Sequence, residues 1–105
     1  MMINNNILFE NINLSTLIEM IKTDHELILL DVRTANEHKI GNIKNSINID
    51  FLQNTFESLL NKLDREKAYL VYCRSGMRSA KAASLLINMG FRKVYNLKNG
   101  YNSWK

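Results

Sequence analysis

The chain of 105 residues has no proline, only one cysteine and no long apolar run. A single cysteine excludes an internal disulfide framework and cannot supply a metal site built from several thiolates. The start of the chain, Met1 to Asn6, has no basic segment followed by an apolar run of signal-peptide length. No other stretch is long and apolar enough to span a bilayer. We therefore expect a cytoplasmic protein with no membrane partner.

The charge pattern gives no sign of a nucleic-acid surface. The formal net charge is +4, but the lysines and arginines are scattered and interleaved with acidic residues, with no basic run. The pattern is typical of a mixed, solvated surface, and the positive balance helps to attract small anions. With 46% apolar residues, a chain of this size can bury one core, so we predict a single domain over residues 1–105.

Short apolar runs alternate along the chain with segments of helical spacing, which predicts an α/β fold. Leu27–Val32 is apolar on both faces, as expected for a parallel strand covered on both sides. A mostly parallel sheet with helices on both faces follows from this alternation. The predicted strands are 7–9, 27–32, 46–49, 68–72 and 94–97. The predicted helices begin after a cap at Asn13 and run to about Lys22, then follow Thr34 briefly, and then cover 51–63, 78–89 and 101–104.

Local signals support several helix ends. Ile12 and Leu17 are spaced to form a hydrophobic staple around the Asn13 cap, and Glu37 follows Thr34 at the spacing of a capping box. Gly90 suits a left-handed helix exit. Sites in parallel sheets lie at the carboxyl ends of strands. This places the residues after Val32 and Tyr72 at one edge of the sheet.

The segment Val71 to Ser79 carries the strongest chemical signal. An apolar strand leads into Cys73, and a glycine-containing turn and a helix follow it. Arginines lie one and five positions after the cysteine. Because helix N-termini have unpaired amide hydrogens and a partial positive charge, they bind anions and lower thiol pKa values. A thiol pKa of about 8.5 lowered by about two units makes the thiolate the majority form near neutrality.

Taken together, these and other segments resemble the rhodanese family of sulfurtransferases over about nine tenths of the chain. Each match is weak by itself, but all of them in this order make a specific pattern. The matching pieces are Leu30-Asp31-Val32-Arg33, Glu37, Gly41 to Ile49, Cys73 to Ser79, Gly90-Phe91, Val94 to Leu97, and Gly100 with Trp104. The resemblance implies a rhodanese-like three-layer α/β/α fold with a central, mostly parallel five-stranded sheet.

The resemblance also implies a mechanism. Thiolate Cys73 takes sulfane sulfur from thiosulfate or a persulfide, and the enzyme persulfide passes it to a thiol, cyanide or a protein acceptor. No cofactor or metal is implied, and we expect a monomer or weak dimer. The loop residues that bind the donor and stabilise the negative sulfur are Arg74, Ser75, Gly76, Met77, Arg78 and Ser79. Arg74 and Arg78 suit donor oxygens because guanidinium is permanently charged, Gly76 lets the loop curl around the sulfur, and Met77 lines the entrance.

The chain departs from the family pattern at a few positions. The family usually has Gly-His-Ile-Pro-Gly-Ala where this chain has Gly41 to Ser46, with Asn42 in place of the His. Asn45 replaces a glycine, and because asparagine tolerates positive φ we expect the turn to survive. The usual Gly-Gly pair before the last helix is Asn99-Gly100 here. None of these changes touches the nucleophile.

Other polar residues have a structural interpretation. For Asp31, Arg33 and Glu37 we favour buried ion pairs that hold a loop, in support of the site, over direct action on substrate. His25 and His38 are expected at the surface, and neither has a second ligand at metal-binding spacing. Tyr101 and Trp104 are expected to pack and to hold the terminal helix in place.

Two alternative functions remain. Tyrosine phosphatases and arsenate reductases also place a cysteine, a backbone cradle and an arginine at the start of a helix. Their loop has five residues between Cys and Arg, whereas four separate Cys73 from Arg78, and no general acid is evident beside this loop. The smaller ring of amides suits a sulfur atom better than a tetrahedral oxyanion. The other alternative is a rhodanese-like binding or regulatory module without catalysis, although such modules often lack the cysteine that this chain has.

Overall fold

The computed structural model describes residues 9–104. Every strand pairing is parallel, in the order β1-β5-β4-β2-β3, which confirms the predicted five-stranded sheet. Within the described residues, no helix has the length and apolar character needed to cross a membrane. The strands are β1 (Glu10–Ile12), β2 (Ile28–Asp31), β3 (Ile47–Asn48), β4 (Ala68–Tyr72) and β5 (Lys93–Leu97). The helices are α1 (Leu14–Thr23), α2 (Ala35–Ile40), α3 (Phe56–Leu60), α4 (Met77–Asn88) and α5 (Gly100–Trp104).

The central strand β4 is buried on both faces, as its apolar sequence predicts. Side chains alternate along a strand, so Tyr69 and Val71 face one side and Leu70 and Tyr72 the other. Tyr69 and Val71 belong to a core that also contains apolar residues of α3 and α4. Leu70 and Tyr72 belong to a second core with residues of α1 and α5. The sheet therefore lies between two helical layers, and Cys73, one residue beyond β4, is in the core on the α4 side.

The helix starts that were predicted from capping signals are confirmed. Asn13 Oδ1 accepts a hydrogen bond from the Thr16 amide at 3.0 Å. At α2, Thr34 Oγ1 accepts from the Glu37 amide at 3.1 Å while Glu37 Oε1 accepts from the Thr34 amide at 3.0 Å. This reciprocal pair is a capping box, and it fixes the Glu37 side chain at the first turn of α2.

The first strand differs from its prediction. Ile7 and Leu8 lie outside the described residues, and Phe9 precedes β1, which pairs with β5 from Glu10 to Ile12. β1 is an edge strand in which only Ile12 is buried. Of the predicted strand 7–9 only Phe9 is described, and it lies just before β1, so the described strand begins later than its apolar run indicated.

The predicted helix over 51–63 was too long, because α3 covers only Phe56–Leu60. On the N-terminal side, the Leu52 amide donates to Asp50 Oδ1 at 2.9 Å, which forms an Asx-type turn instead of a helical one. On the C-terminal side, the Leu63 amide bonds to Leu60 O at 3.0 Å, which is an i to i+3 turn. The apolar spacing was right about burial of Phe56 and Leu60 but not about helix length.

The start of α5 is tied to the loop that follows β4. The Tyr101 amide donates to Cys73 O at 2.7 Å, and the Asn102 amide donates to Arg74 O at 3.0 Å. This close approach requires Gly100, whose φ is +60°, since a Cβ there would lie 2.5 Å from both of those carbonyl oxygens. The helix begins one residue earlier than predicted, at this glycine.

We expect Gly100→Ala to lower the free energy of unfolding by several kcal/mol, roughly 3 or more, because the methyl group collides with backbone as well as forcing a left-handed alanine. Gly90→Ala is the matched control. Its φ is +95°, but its Cβ would meet only the flexible Arg65 side chain at 3.9 Å. Urea unfolding of both variants at 25 °C measures the difference. An equal loss of stability in the two variants would contradict the proposed backbone clash.

Candidate active site

The sulfur of Cys73 accepts hydrogen bonds from the backbone and side chain of the loop and of α4. The Gly76 amide donates to Sγ at 3.2 Å, and the Ser79 amide and hydroxyl each donate at 3.4 Å. The Ser79 amide belongs to the first turn of α4, where amides have no partner within the helix. Gly76 makes no side-chain cap. The sulfur therefore takes the position that a capping oxygen would otherwise fill.

Two opposing effects act on the pKa of the Cys73 thiol. Burial disfavours the charged form and raises the pKa, and this is the largest single contribution. The hydrogen bonds from Ser79 and Gly76 together favour the thiolate more strongly, so the pKa lies below its ordinary value. The partial positive charge at the N-terminus of the twelve-residue helix α4 also favours the thiolate and lowers this pKa.

The conformation of the loop depends on glycine at position 76. Gly76 has φ of +103°, and a Cβ on it would lie 2.3 Å from Lys98 O, so the loop packs directly against the end of β5. Asn96 on β5, which is 3% exposed, donates its side-chain amide to Gly76 O at 3.4 Å and to Asn11 Oδ1 at 2.9 Å. The Asn96 side chain thus links β1, β5 and the cysteine loop.

The two loop arginines both face the carboxylate of Glu37. Arg78 donates from both terminal nitrogens, with Nη1 at 3.2 Å from Oε1 and Nη2 at 3.3 Å from Oε2. Arg74 Nη2 lies 3.5 Å from Oε2 and its side chain is 67% exposed. Burial opposes ionisation of Glu37, but the bonds from Arg78 and the Thr34 amide lower its pKa to about 2. Glu37 is therefore ionised throughout the neutral range.

Asp31 and Arg33 form a buried ion pair at the end of β2. Arg33 Nη2 donates to Asp31 Oδ2 at 2.7 Å and Nε donates to Oδ1 at 3.0 Å. Arg33 Nη2 also donates to Gly41 O at 2.6 Å, which ties the loop after α2 to the sheet. Burial would raise the pKa of Asp31, but its hydrogen bonds with Arg33 and His38 hold it below the ordinary value.

The environment of Arg33 was not predicted from the sequence. Its guanidinium lies 5.4 Å from the centre of the Tyr72 ring and 4.3 Å from that of Tyr101. The two rings stack on each other at 6.2 Å. Tyr101 therefore packs, as expected, and Trp104 packs against the same core. The Arg33 guanidinium, which lies over both rings and is 4% exposed, is stabilised by cation–π attraction.

His38 corrects an expectation. It was predicted at the surface, but its side chain is only 24% exposed and Nδ1 lies 2.8 Å from Asp31 Oδ2. His38 lies on α2, and its ring reaches the Asp31 carboxylate at the end of β2, so the ring is partly covered. Asn42, which replaces the usual family His, donates to His38 O at 2.8 Å near the end of α2. Asn45 has φ of +70°, so the predicted turn is present.

A cavity of about 560 Å³ opens beside the cysteine loop. Charged groups of both signs line it, from Arg74 and Glu37, together with apolar surface from Ile40 and Tyr101. The remaining lining residues are Arg33, Gly41 and Asn102. A cavity of this size is large enough for an organic molecule, not only for an inorganic ion.

The structure brings most of the predicted site residues together, in three groups. Gly76 and Ser79 donate hydrogen bonds directly to the Cys73 sulfur. Arg74, Arg78 and Glu37 form an ion cluster next to it, while Asp31 and Arg33 form a separate buried pair beneath the cavity. Met77 is 73% exposed at the start of α4. Sequence analysis missed the role of Asn96, whose only signal was a polar residue at an inward-facing position of a strand.

Comparisons with known proteins give one consistent result. A family model described as Rhodanese-like domain matches residues 13–105. Thiosulfate sulfurtransferase GlpE of Coxiella burnetii is 31% identical over 87 residues, which cover 83% of this chain and 78% of that protein. The tRNA uridine(34) hydroxylase of Cytophaga hutchinsonii is 36% identical over 83 residues, 75% of this chain but 26% of that protein. The crystal structure of a rhodanese-related protein from Thermoplasma volcanium matches with a TM-score of 0.80 and 35% identity, covering 91% and 90% of the two chains.

Ser79→Ala tests the cradle. Removal of the hydroxyl that lies 3.4 Å from Sγ takes away one donor to the thiolate, so we expect the pKa of Cys73 to rise. Absorbance of the thiolate near 240 nm during a pH titration measures it, with Cys73→Ser as the blank because Cys73 is the only cysteine. Ser84→Ala, an exposed position on the same helix, is the control. An unchanged pKa of Cys73 in Ser79→Ala would show that the Ser79 hydroxyl does not stabilise the thiolate.

Acid stability tests the ion pairs of Glu37. The pKa of Glu37 is lowered from an ordinary 4.5 to about 2, so its contribution to stability is complete above pH 4.5 and is lost as the pH falls to about 2. We expect Glu37→Gln to be less stable than the parent at pH 7, with a difference that shrinks over this range. Urea unfolding from pH 7 to 2 measures it, with Glu57→Gln on the exposed surface as control. A stability difference between parent and Glu37→Gln that does not change with pH would show that the ion pairs of Glu37 do not stabilise the fold.

Proposed function

The chain belongs to the rhodanese-like domain family, and on this premise we propose that it is a sulfurtransferase that carries sulfane sulfur on Cys73. The observation that carries the proposal is the hydrogen bonding of the Cys73 sulfur at the start of α4, which lowers the thiol pKa. A thiolate is the form of cysteine that acts as a nucleophile. The name of the relative GlpE supports thiosulfate as one donor.

The reaction has two steps. In the first, the Cys73 thiolate forms a bond to the outer sulfur of the donor, and the bond from that sulfur to the rest of the donor breaks. With thiosulfate, the leaving group is sulfite, which takes the bonding electron pair, and the enzyme is left as a persulfide anion. In the second step, an acceptor thiolate, cyanide or a nucleophile on a partner protein attacks the terminal sulfur and regenerates the Cys73 thiolate.

The loop residues have distinct roles in this proposal. Gly76 and Ser79, with the Ser75 backbone, stabilise the negative sulfur by hydrogen bonds. Arg74 and Arg78 bind donor oxygens. Met77 is exposed but is not among the residues that line the cavity, so its place at the entrance stays a prediction. Asp31, Arg33 and Glu37 support the site from beneath and beside it. The structural contacts of Asp31 and Arg33 favour support over direct contact with substrate.

The two alternatives are less well supported. A cysteine-dependent phosphatase or arsenate reductase needs a general acid that is protonated near neutrality. Glu37, the carboxylate in contact with Arg78, has a pKa of about 2 and cannot fill that role. A binding or regulatory module is the other alternative, and the match to about a quarter of a longer hydroxylase shows that a similar segment also occurs within a larger protein. The activated cysteine favours catalysis.

The expectations about partners and location stay predictions. They are a cytoplasmic protein, active as a monomer or weak dimer, that meets a small anionic sulfur donor and a thiol or protein acceptor. No nucleic-acid or membrane partner is expected.

Intact-mass measurement tests the covalent intermediate. After incubation with thiosulfate, we expect a gain of one sulfur atom on Cys73, and addition of cyanide should remove it with formation of thiocyanate. Cys73→Ser should show neither the adduct nor turnover while unfolding at the same urea concentration. If thiosulfate, polysulfide and glutathione persulfide all leave the mass of the folded protein unchanged, the sulfurtransferase proposal fails and the binding module takes its place.

Arg78→Ala tests donor binding. We expect the KM for thiosulfate to rise about tenfold, or about 1.4 kcal/mol, because a cation that can bind donor oxygens is lost and Glu37 is left less compensated. Lys81→Ala is the control, since it removes the same charge from an exposed position on the same helix. Steady-state cyanide assays give both constants. An equal KM in the two variants would remove the donor-binding role of Arg78.

A further inference from the structure

The charge of the site differs from what the loop sequence alone indicates. The loop supplies two cations, Arg74 and Arg78, but Glu37 lies within 3.5 Å of both. Once Cys73 is ionised, two positive charges are set against two negative ones. Arg33 does not change this balance, because its guanidinium is bound to buried Asp31. The site is therefore close to neutral, although its loop is basic.

Hydrogen bonds from Thr34 hold the Glu37 side chain in this position. Its carboxylate accepts from the Thr34 amide at 3.0 Å and from the Thr34 hydroxyl at 3.2 Å. The side chain is 20% exposed, so water screens it only in part. Because Thr34 and Arg78 both bond to the Glu37 carboxylate, this carboxylate stays in place when an anionic donor binds, and its charge repels the donor.

The effect of that charge depends on the charge of the donor. Coulomb energy is proportional to the product of the charges, so a fixed carboxylate repels a dianion twice as strongly as a monoanion at the same place. Resting on the sulfurtransferase function proposed above, we propose that Glu37 is a specificity-determining residue that selects organic sulfane donors with a single negative charge over dianionic thiosulfate.

The cavity beside the loop supports the same selection. It measures about 560 Å³, and Glu37 and Arg74 line it together with Ile40 and Tyr101. An inorganic anion gains nothing from contact with the apolar surface of the cavity. An organic group on the donor would cover this surface and so remove it from water, which favours binding. Ile40 is 80% exposed, so this apolar surface is open to an incoming molecule.

A matched pair of donors isolates charge from chemistry. Thiosulfate and methanethiosulfonate both carry an outer sulfur on a sulfonyl group, but they have two negative charges and one. In both, the Cys73 thiolate bonds to the outer sulfur while the bond between the two donor sulfurs breaks. The electron pair leaves on sulfite in the first case and on methanesulfinate in the second. Charge and atoms balance in each, and no oxidant or reductant is needed.

The decisive variant is Glu37→Gln, because glutamine can still complete a capping box and lacks only the charge. We expect kcat/KM to rise about tenfold for thiosulfate and about threefold for methanethiosulfonate, measured at constant ionic strength with cyanide as acceptor. Glu57→Gln is the control, since it removes the same charge from an exposed position that does not line the cavity. It should leave kcat/KM for both donors unchanged.

Each outcome has a clear meaning. A ratio of kcat/KM for thiosulfate to kcat/KM for methanethiosulfonate that rises about threefold in Glu37→Gln, and stays constant in Glu57→Gln, supports the selection by charge. Loss of activity with both donors by one factor in Glu37→Gln would show that Glu37 only positions the arginines, and would overturn the inference. If neither donor loads sulfur onto Cys73 in the parent protein, the proposed function itself fails, which is a different result.

The organic group has its own test. Benzenethiosulfonate has the same charge as methanethiosulfonate and a larger apolar group. Ile40→Ala should reduce the preference for the benzene compound several-fold, because part of the apolar lining is lost. Leu52→Ala is the control, since Leu52 is also an exposed large apolar residue but does not line this cavity. An equal preference for benzenethiosulfonate over methanethiosulfonate in the two variants would show that the organic group does not bind in this cavity.

Discussion

The hydrogen bonds from the start of α4 to the sulfur of Cys73 are the interaction on which the rest of the structure depends. They satisfy an amide of the first helical turn that has no partner within α4, and they favour the thiolate against a burial cost. The same contacts therefore cap a helix and favour the thiolate form of Cys73. The loop can reach this geometry only because Gly76 adopts a positive φ against the end of β5.

The surroundings of the loop keep that geometry in place. Gly100 lets the amides at the start of α5 bond to the carbonyl groups of Cys73 and Arg74, so the loop is held on its outer side. On the inner side Asn96 bonds to the Gly76 carbonyl. Directional donors that are already aimed at the Cys73 sulfur need little rearrangement when that sulfur becomes negatively charged.

Much of the fold and part of the site could be predicted. The parallel sheet, the limits of β4 and the caps at Asn13 and Thr34 follow from local patterns, because strand alternation and capping depend on residues close in sequence. The edge strand β1 and the short helix α3 could not be placed in this way. Their bounds depend on pairing with a distant strand and on turns that compete with helix.

The sequence by itself determined the position of the single cysteine and its helix-start setting, since Cys73, Gly76 and Ser79 lie within seven consecutive residues. Only the tertiary structure decided the charge of the site. Glu37 lies 41 positions from Arg78 in the chain, yet the fold brings their charged groups to 3.2 Å. Local sequence cannot show such a contact, because Coulomb energy depends on distance in space and not on distance along the chain.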